Sequence, residues 1–150
     1  SDLLYEMTAE VCEELPRNSA RYLMGVGTPA DLLECIARGV DMFDCVLPTR
    51  NARHGLIFTS QGVINIKNKK WEHCHEPVDA NSTSILSRQH SRAYLRHLIK
   101  ANELLGPILL SIHNLHILID LSCSLRESIL NDNLIEFVAN FLDQIDKSEK

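Results

Sequence analysis

Val40-Asp41-Met42-Phe43-Asp44-Cys45-Val46-Leu47-Pro48-Thr49-Arg50-Asn51-Ala52-Arg53 decides how the rest of this chain is read. Val40 to Val46 has the apolar, β-branched and aromatic content of a short buried strand, with Asp44 near its carboxyl end. A Pro-led basic loop is expected directly after it. A barrel enzyme keeps an acidic nucleophile at such a strand end, and a nucleic-acid enzyme keeps phosphate contacts in such a loop. The residues also fit a plainer role, a strand-end Asp capping a neighbouring loop. Asp41, at the strand entrance, suits structural hydrogen bonding.

Upstream, Tyr22 to Val26 reads as a second short strand. Thr28 is a good N-cap, Pro29 fits the first helical position and Asp31 the first turn. Leu32, Leu33, Ile36 and Ala37 share one helix face, and Gly39 suits the C′ position. Strand, helix, strand is a βαβ unit, so the two strands should be parallel and buried. Residues 2–15 read as an amphipathic helix ended by Pro16.

Downstream, Gly55 to Thr59 and Val63 to Ile66 flank Ser60-Gln61-Gly62 and predict a hairpin. Residues 67–90 form a polar, irregular connection, followed by helices near 91–105, 108–129 and 132–146. Gly106-Pro107 and Asn131-Asp132 are the expected breaks. A lone βαβ unit leaves open sheet edges. The pattern is that of the tail of a larger α/β protein with a small appended subdomain.

The chain has 150 residues, 45% of them hydrophobic and 23% charged, ordinary values for a globular fold. No contiguous apolar run approaches the roughly 20 residues that cross a bilayer, and no secretory leader pattern is visible, so no membrane partner is expected. Five scattered cysteines fit reduced thiols and a cytoplasmic location better than a disulfide framework. Net charge is −5, yet residues 45–71 carry Arg50, Arg53, Lys67, Lys69 and Lys70 and no acid. That local patch is compatible with phosphate binding, and equally with a solvated loop face.

Tyr22 through Pro29, Gly39 through Cys45 and Pro48 through Arg53 together resemble the C-terminal part of the bacterial tRNA-guanine transglycosylases, also called queuine tRNA-ribosyltransferases. Ser91 through Leu95 and Ile112 through Leu115 extend the resemblance, which covers nearly the whole chain from Arg21 onward. It implies an α/β fold, the C-terminal part of an irregular (β/α)8 TIM barrel with an inserted small β-hairpin/helical subdomain. Residues 1–48 would supply the last strands and helices of the barrel. Residues 49–113 would form an RNA-reading loop and a zinc-type subdomain, and residues 114–150 the C-terminal helices packing on the barrel.

The resemblance further implies a pentosyltransferase of queuosine biosynthesis. It would exchange the wobble guanine of a tRNA anticodon loop for a 7-deazaguanine through a covalent ribosyl–Asp intermediate. Asp44 matches the nucleophile. Met24 and Gly25 match substrate-binding positions, with core packing as the plain alternative for Met24. Gly25, Val26, Gly27, Thr28, Pro29, Ala30 and Asp31 match one RNA-binding segment, and Thr49, Arg50, Asn51, Ala52 and Arg53 another. The family's second catalytic Asp belongs to an upstream part, so this stretch alone is expected to be inactive. The alternative is a non-catalytic fragment or degenerate subunit that binds tRNA or a partner chain. Family enzymes commonly work as homodimers.

The family's zinc ligands, Cys-x-Cys-x-x-Cys and a distant His, fall here on Ser82, Ser84, Ser87 and His113. Hydroxyls lack the soft thiolate of a structural zinc site, so no cofactor is expected, with hydrogen bonds in place of the metal. A substitute site drawn from His73, Cys74, His75, His90 and His113 is the alternative.

Overall fold

A computed structural model describes residues 2–148, with side chains through residue 145. The fold is mixed α/β and divides into two compact units. One runs to Leu47 and adds Cys123–Asp143; the other is Pro48–Ser122 with the chain from Gln144 on. The change of unit therefore falls inside a long helix, after Ser122.

In the first unit, α1 (Asp2–Glu14) precedes β1 (Tyr22–Met24), α2 (Pro29–Ala37) and β2 (Met42–Asp44). The strands pair in parallel, Tyr22 with Met42, Leu23 with Phe43 and Met24 with Asp44, as a βαβ unit requires. Both are shorter than the sequence predicts. Gly25, at φ +75°, turns the chain out of β1, and the Val40 N–H is spent on the Cys35 carbonyl at 3.1 Å. Asp41 accepts the Arg21 N–H at 2.8 Å and so fixes the strand entrance. Thr28 caps α2 by accepting the Asp31 N–H at 3.1 Å, and Gly39, at φ +102°, follows its C-cap. Leu23 and Phe43 turn inward against Cys12, Cys35, Val40, Tyr5 and Val26. The same alternation leaves Tyr22, Met24, Met42 and Asp44 on the exposed face. Leu3, Met7 and Val11 along α1, and Leu15 just past its end, recur every fourth residue and are all exposed.

The second unit starts with a correction. The stretch expected as a basic loop is a helix, α3 (Leu47–Arg53). Pro48 is compatible with a first turn, Arg50 and Arg53 lie where a helix end favours cations, and Gly55, at φ +81°, donates to the Ala52 carbonyl at 2.9 Å. The hairpin β3 (Leu56–Thr59) and β4 (Gly62–Asn65) follows, antiparallel around a two-residue turn. Gly62, at φ +112°, opens β4 and does not sit in the turn. The long connection is ordered by a 3₁₀ turn at Lys69–Trp71 and by α4 (Ile85–Gln89) before α5 (Arg92–Lys100). Ala52, Ile57, Ile66, Val78, Leu86, Leu95, Ile99 and Leu110 make the core.

Two helices complete the chain, α6 (Leu105–Leu130) and α7 (Leu134–Ser148). Gly106 and Pro107 do not break a helix; they sit in the first turn of α6, where Pro is tolerated. The break lies just before, at Asn102, with φ +56°. Asp132, also at φ +56°, separates α6 from α7. The 26 residues of α6 are long and apolar enough to cross a bilayer by length and composition. The sequence reading missed this because Ser111, His113, Asn114 and His116 interrupt the apolar run. Those same residues distinguish α6 from a plain hydrophobic span, since His113 and Asn114 are fully buried and bonded within the protein.

Candidate functional site

Asp44 ends β2, exposed, on the same sheet face as Tyr22 and Met24. Its Oδ1 accepts the Tyr22 hydroxyl at 2.7 Å and the Gly25 N–H at 3.4 Å. The Gly25 N–H also reaches the Asp44 carbonyl at 3.0 Å, continuing the ladder one residue past β1. Oδ2 has no hydrogen-bond partner among the described residues. One carboxylate oxygen is thus held and the other faces open space. The Tyr22 phenol is pushed above its ordinary value, first by its bond to Asp44, then by desolvation and by the carboxylate charge. It therefore stays a donor to Asp44 through the neutral range.

The backbone beside Asp44 turns at Gly25. A Cβ there would meet nothing within 4 Å, so the glycine is required by its φ of +75° and not by crowding. Met24 is 70% exposed and does not pack into the core. Gly27 is the opposite case, since a Cβ would lie 2.4 Å from the Cys45 Cβ. Val26 packs on the core, and Thr28 and Asp31 bond each other at 2.6 Å. Asp31 also accepts the Tyr5 hydroxyl at 2.8 Å. Of residues 25–31, only Gly25 is exposed; Pro29 and Ala30 are half-buried in the first turn of α2.

On α3, Arg50 and Arg53 are exposed, three residues apart on one helix face. Thr49 and Asn51 are half-buried, and Ala52 is fully buried in the core. The start of α3 is held by a residue the sequence reading gave no role. Asn114, on α6, donates through Nδ2 to the Pro48 carbonyl at 2.9 Å and the Leu56 carbonyl at 3.1 Å, and accepts the Phe58 N–H at 2.9 Å. A His-Asn pair inside an apolar helix was the available signal, because buried polar groups find partners. Tyr22 was also missed. Its signal was the two-residue spacing to Met24 opposite Asp44.

Of Ser82, Ser84 and Ser87, it is Ser84 that meets His113, and the other two are linked to Ser84 through backbone N–H groups. Ser84, 2% exposed, donates to His113 Nδ1 at 2.6 Å and accepts the Ser87 N–H at 3.2 Å. Ser82 Oγ accepts the Ser84 N–H at 3.2 Å, and Ser87 Oγ the Asp79 N–H at 3.3 Å. His113 donates through Nε2 to the Phe58 carbonyl at 2.9 Å, which fixes the tautomer. Burial pushes the imidazole below its ordinary value, opposed by the Phe58 carbonyl and the Asp79 charge. Three neutral hydroxyls and a histidine with both ring nitrogens engaged do not fit zinc. Nor does the alternative set assemble: among the described residues no group of three or more His, Cys, Asp or Glu stands within reach of one ion. His90 instead stacks on Tyr94, with ring centroids 5.2 Å apart.

Comparison with known proteins gives these sites a context. Residues 1–147 match the family described as Queuine tRNA-ribosyltransferase. A protein of that name from Buchnera aphidicola subsp. Acyrthosiphon pisum (strain 5A) is 46% identical over 144 residues, 96% of this chain and 39% of the relative. Its namesake from Caldanaerobacter subterraneus subsp. tengcongensis is 48% identical over 141 residues, 94% of this chain and 38% of the relative. One from Staphylococcus haemolyticus is 47% identical over 142 residues, 95% and 38% respectively. The class so defined is that of the pentosyltransferases that modify tRNA. The chain belongs to the queuine tRNA-ribosyltransferase family, and spans about two fifths of the length of the curated relatives it matches.

Proposed function

We propose that this chain is the C-terminal part of a cytoplasmic tRNA-guanine transglycosylase, with Asp44 as its nucleophile. Asp44 Oδ2 attacks the anomeric carbon of the wobble ribose. The bond to guanine breaks, guanine leaves with the electron pair, and a ribosyl ester remains on Asp44. A 7-deazaguanine then attacks the same carbon and displaces the carboxylate, so two inversions give net retention. The wobble base must leave its stack to reach the carboxylate. The observation that carries this reading is the posture of Asp44, exposed at a strand's carboxyl end with Oδ1 held by Tyr22 and Gly25 and Oδ2 open. Barrel enzymes place catalytic groups at strand carboxyl ends, which suits residues 1–48 as the last part of a (β/α)8 barrel.

In this reading Met24 and Gly25 bound the space for the base. Arg50 and Arg53 contact phosphate or base edges of the anticodon loop, and the other residues of 26–31 and 49–53 support those surfaces from within. Taking the proton from the incoming base as it attacks falls to a carboxylate upstream of this chain. A homodimer of the complete enzyme is the expected assembly.

One observation favours a second reading, a non-catalytic chain that binds tRNA or a partner. The exposed row of Leu3, Met7, Val11 and Leu15, with a two-stranded parallel sheet beside it, is a surface that wants another polypeptide. Labelled-guanine exchange into tRNA with a wobble guanine separates the two. Exchange that is absent with this chain and appears when the upstream part of a relative is joined to it supports the transglycosylase. No exchange in the joined form supports the binding chain.

A further inference from the structure

The serine–histidine cluster is a built feature that the chemistry at Asp44 leaves unused. Each hydroxyl in it has a defined partner. Ser84 is the hub, because its side chain meets His113 and Ser87 and its backbone N–H meets Ser82. The cluster joins three separate parts of the second unit. Ser84 is the N-cap of α4, Ser87 lies within α4 and holds the Asp79 backbone, and His113 reaches from α6 to β3. Asp79 extends the chain of bonds to the hairpin turn, accepting the Ser60 N–H at 2.6 Å and the Ser60 hydroxyl at 3.0 Å.

We propose that Ser82, Ser84, Ser87 and His113 form a metal-free clasp that fastens the α4 segment to α6 and the hairpin by hydrogen bonds, at positions where the resembling family carries zinc. Two features of the geometry support this. The lone pair a cation would need, on His113 Nδ1, is already filled by the Ser84 proton, and Ser84 Oγ is also engaged by the Ser87 N–H. Conversely, Ser84 links His113 to the Ser87 backbone in the chain's interior, with His113 fully buried, Ser84 2% and Ser87 6% exposed, and half-buried Ser82 is tied to the Ser84 backbone N–H. Thiolates at positions 82, 84 and 87 would restore, with His113, the ligand spacing that the resemblance implies for a Cys3His set. The fold of this unit is thereby freed from metal supply. The comparison with zinc rests on the resemblance read from the sequence, and nothing in it depends on the role of Asp44.

The test is metal analysis and thermal unfolding of the purified chain, with and without EDTA. The wild-type chain should carry less than about 0.1 zinc per molecule and keep its Tm in EDTA, since structural zinc is coupled to folding wherever it is bound. Ser84→Ala, which strands His113 Nδ1 in the interior, should lower Tm by roughly 3–8 °C. The variant Ser82→Cys/Ser84→Cys/Ser87→Cys should take up about one zinc and acquire an EDTA-sensitive Tm. Wild-type chain with about one zinc per molecule and a Tm that drops in EDTA would overturn the clasp, as would a Ser84→Ala variant of unchanged Tm. A folded triple variant that ignores zinc would contradict the reading of these positions as a vacated zinc set. Should the triple variant not fold, the wild-type and Ser84→Ala results still decide.

Discussion

Asp44 and His113 are each a polar group set among apolar neighbours, and the protein holds them in opposite ways. His113 is fully buried, uses both ring nitrogens and sits in a cluster where each hydroxyl also has a partner. Asp44 is exposed, with one oxygen held and the other open. Burial with complete satisfaction makes a polar group structural, because any disturbance strands a desolvated donor or acceptor. Exposure with a half-held carboxylate makes a group available to a reacting atom at no cost to the fold. Substitutions at the two places should therefore fail in different assays.

The largest effect is expected at Asp44. In a full-length context, Asp44→Asn should lower base exchange by roughly 10³-fold or more, with Tm and tRNA affinity near wild type. Unchanged exchange would erase the contrast by making Asp44 a surface acid. Asn114→Ala should behave in the reverse manner, costing about 2–4 kcal/mol in urea unfolding as the Pro48 and Leu56 carbonyls and the Phe58 N–H lose their partner. A variant of native stability would show that α3 and the hairpin do not lean on α6.

Tyr22→Phe sharpens the contrast from the other side. Removing the hydroxyl from Asp44 Oδ1 should reduce kcat by about 5- to 20-fold, with KM for tRNA and Tm little changed. A fall in Tm with unaltered kcat would place Tyr22 among the structural groups. Arg50→Ala should weaken binding of an anticodon-arm RNA by about 3- to 10-fold and flatten its salt dependence by roughly one phosphate contact. Equal affinity and equal salt slope would remove α3 from the RNA surface.

The smallest effect is a pH dependence of stability. His113 is held below its ordinary value in the folded chain, so the unfolded chain binds the proton first as pH falls. Stability from this group is complete above about pH 6.5, the unfolded value, and declines as pH drops below it toward the lowered folded value. Asp79, which favours the protonated ring, moderates the loss. Tm measured from pH 7.5 to 5 should show this decline, and Ser84→Ala should alter its shape.

Much of the fold could be read before the coordinates, and the reasons are local. Thr28-Pro29, Asp31 and Gly39 set α2 through cap chemistry that acts over a few residues, and the two-residue turn of the hairpin lies within the stretch its flanking runs marked. What was misread depended on context. Pro48 suggested a loop, but Ala52 belongs in a core that only distant residues supply, so the stretch coils into α3. Pro107 suggested a break but falls in a first turn, a distinction that rests on where the preceding chain bends. At the candidate site, the place of Asp44 at a strand end was legible from the pattern, whereas its Tyr22 partner required the parallel register. The roles of Ser84 and Asn114 required the folded neighbours that give a buried hydroxyl or amide its bonds.

The most direct measurement is a search for the covalent species itself. Full-length enzyme carrying this C-terminal part would be incubated with wobble-guanine tRNA, quenched under denaturing conditions and resolved by gel and by mass. If Asp44 is the nucleophile, a tRNA–protein adduct forms, maps to the peptide that contains Asp44, and is absent from Asp44→Asn. An adduct that persists in Asp44→Asn, or maps to another carboxylate, would contradict that role.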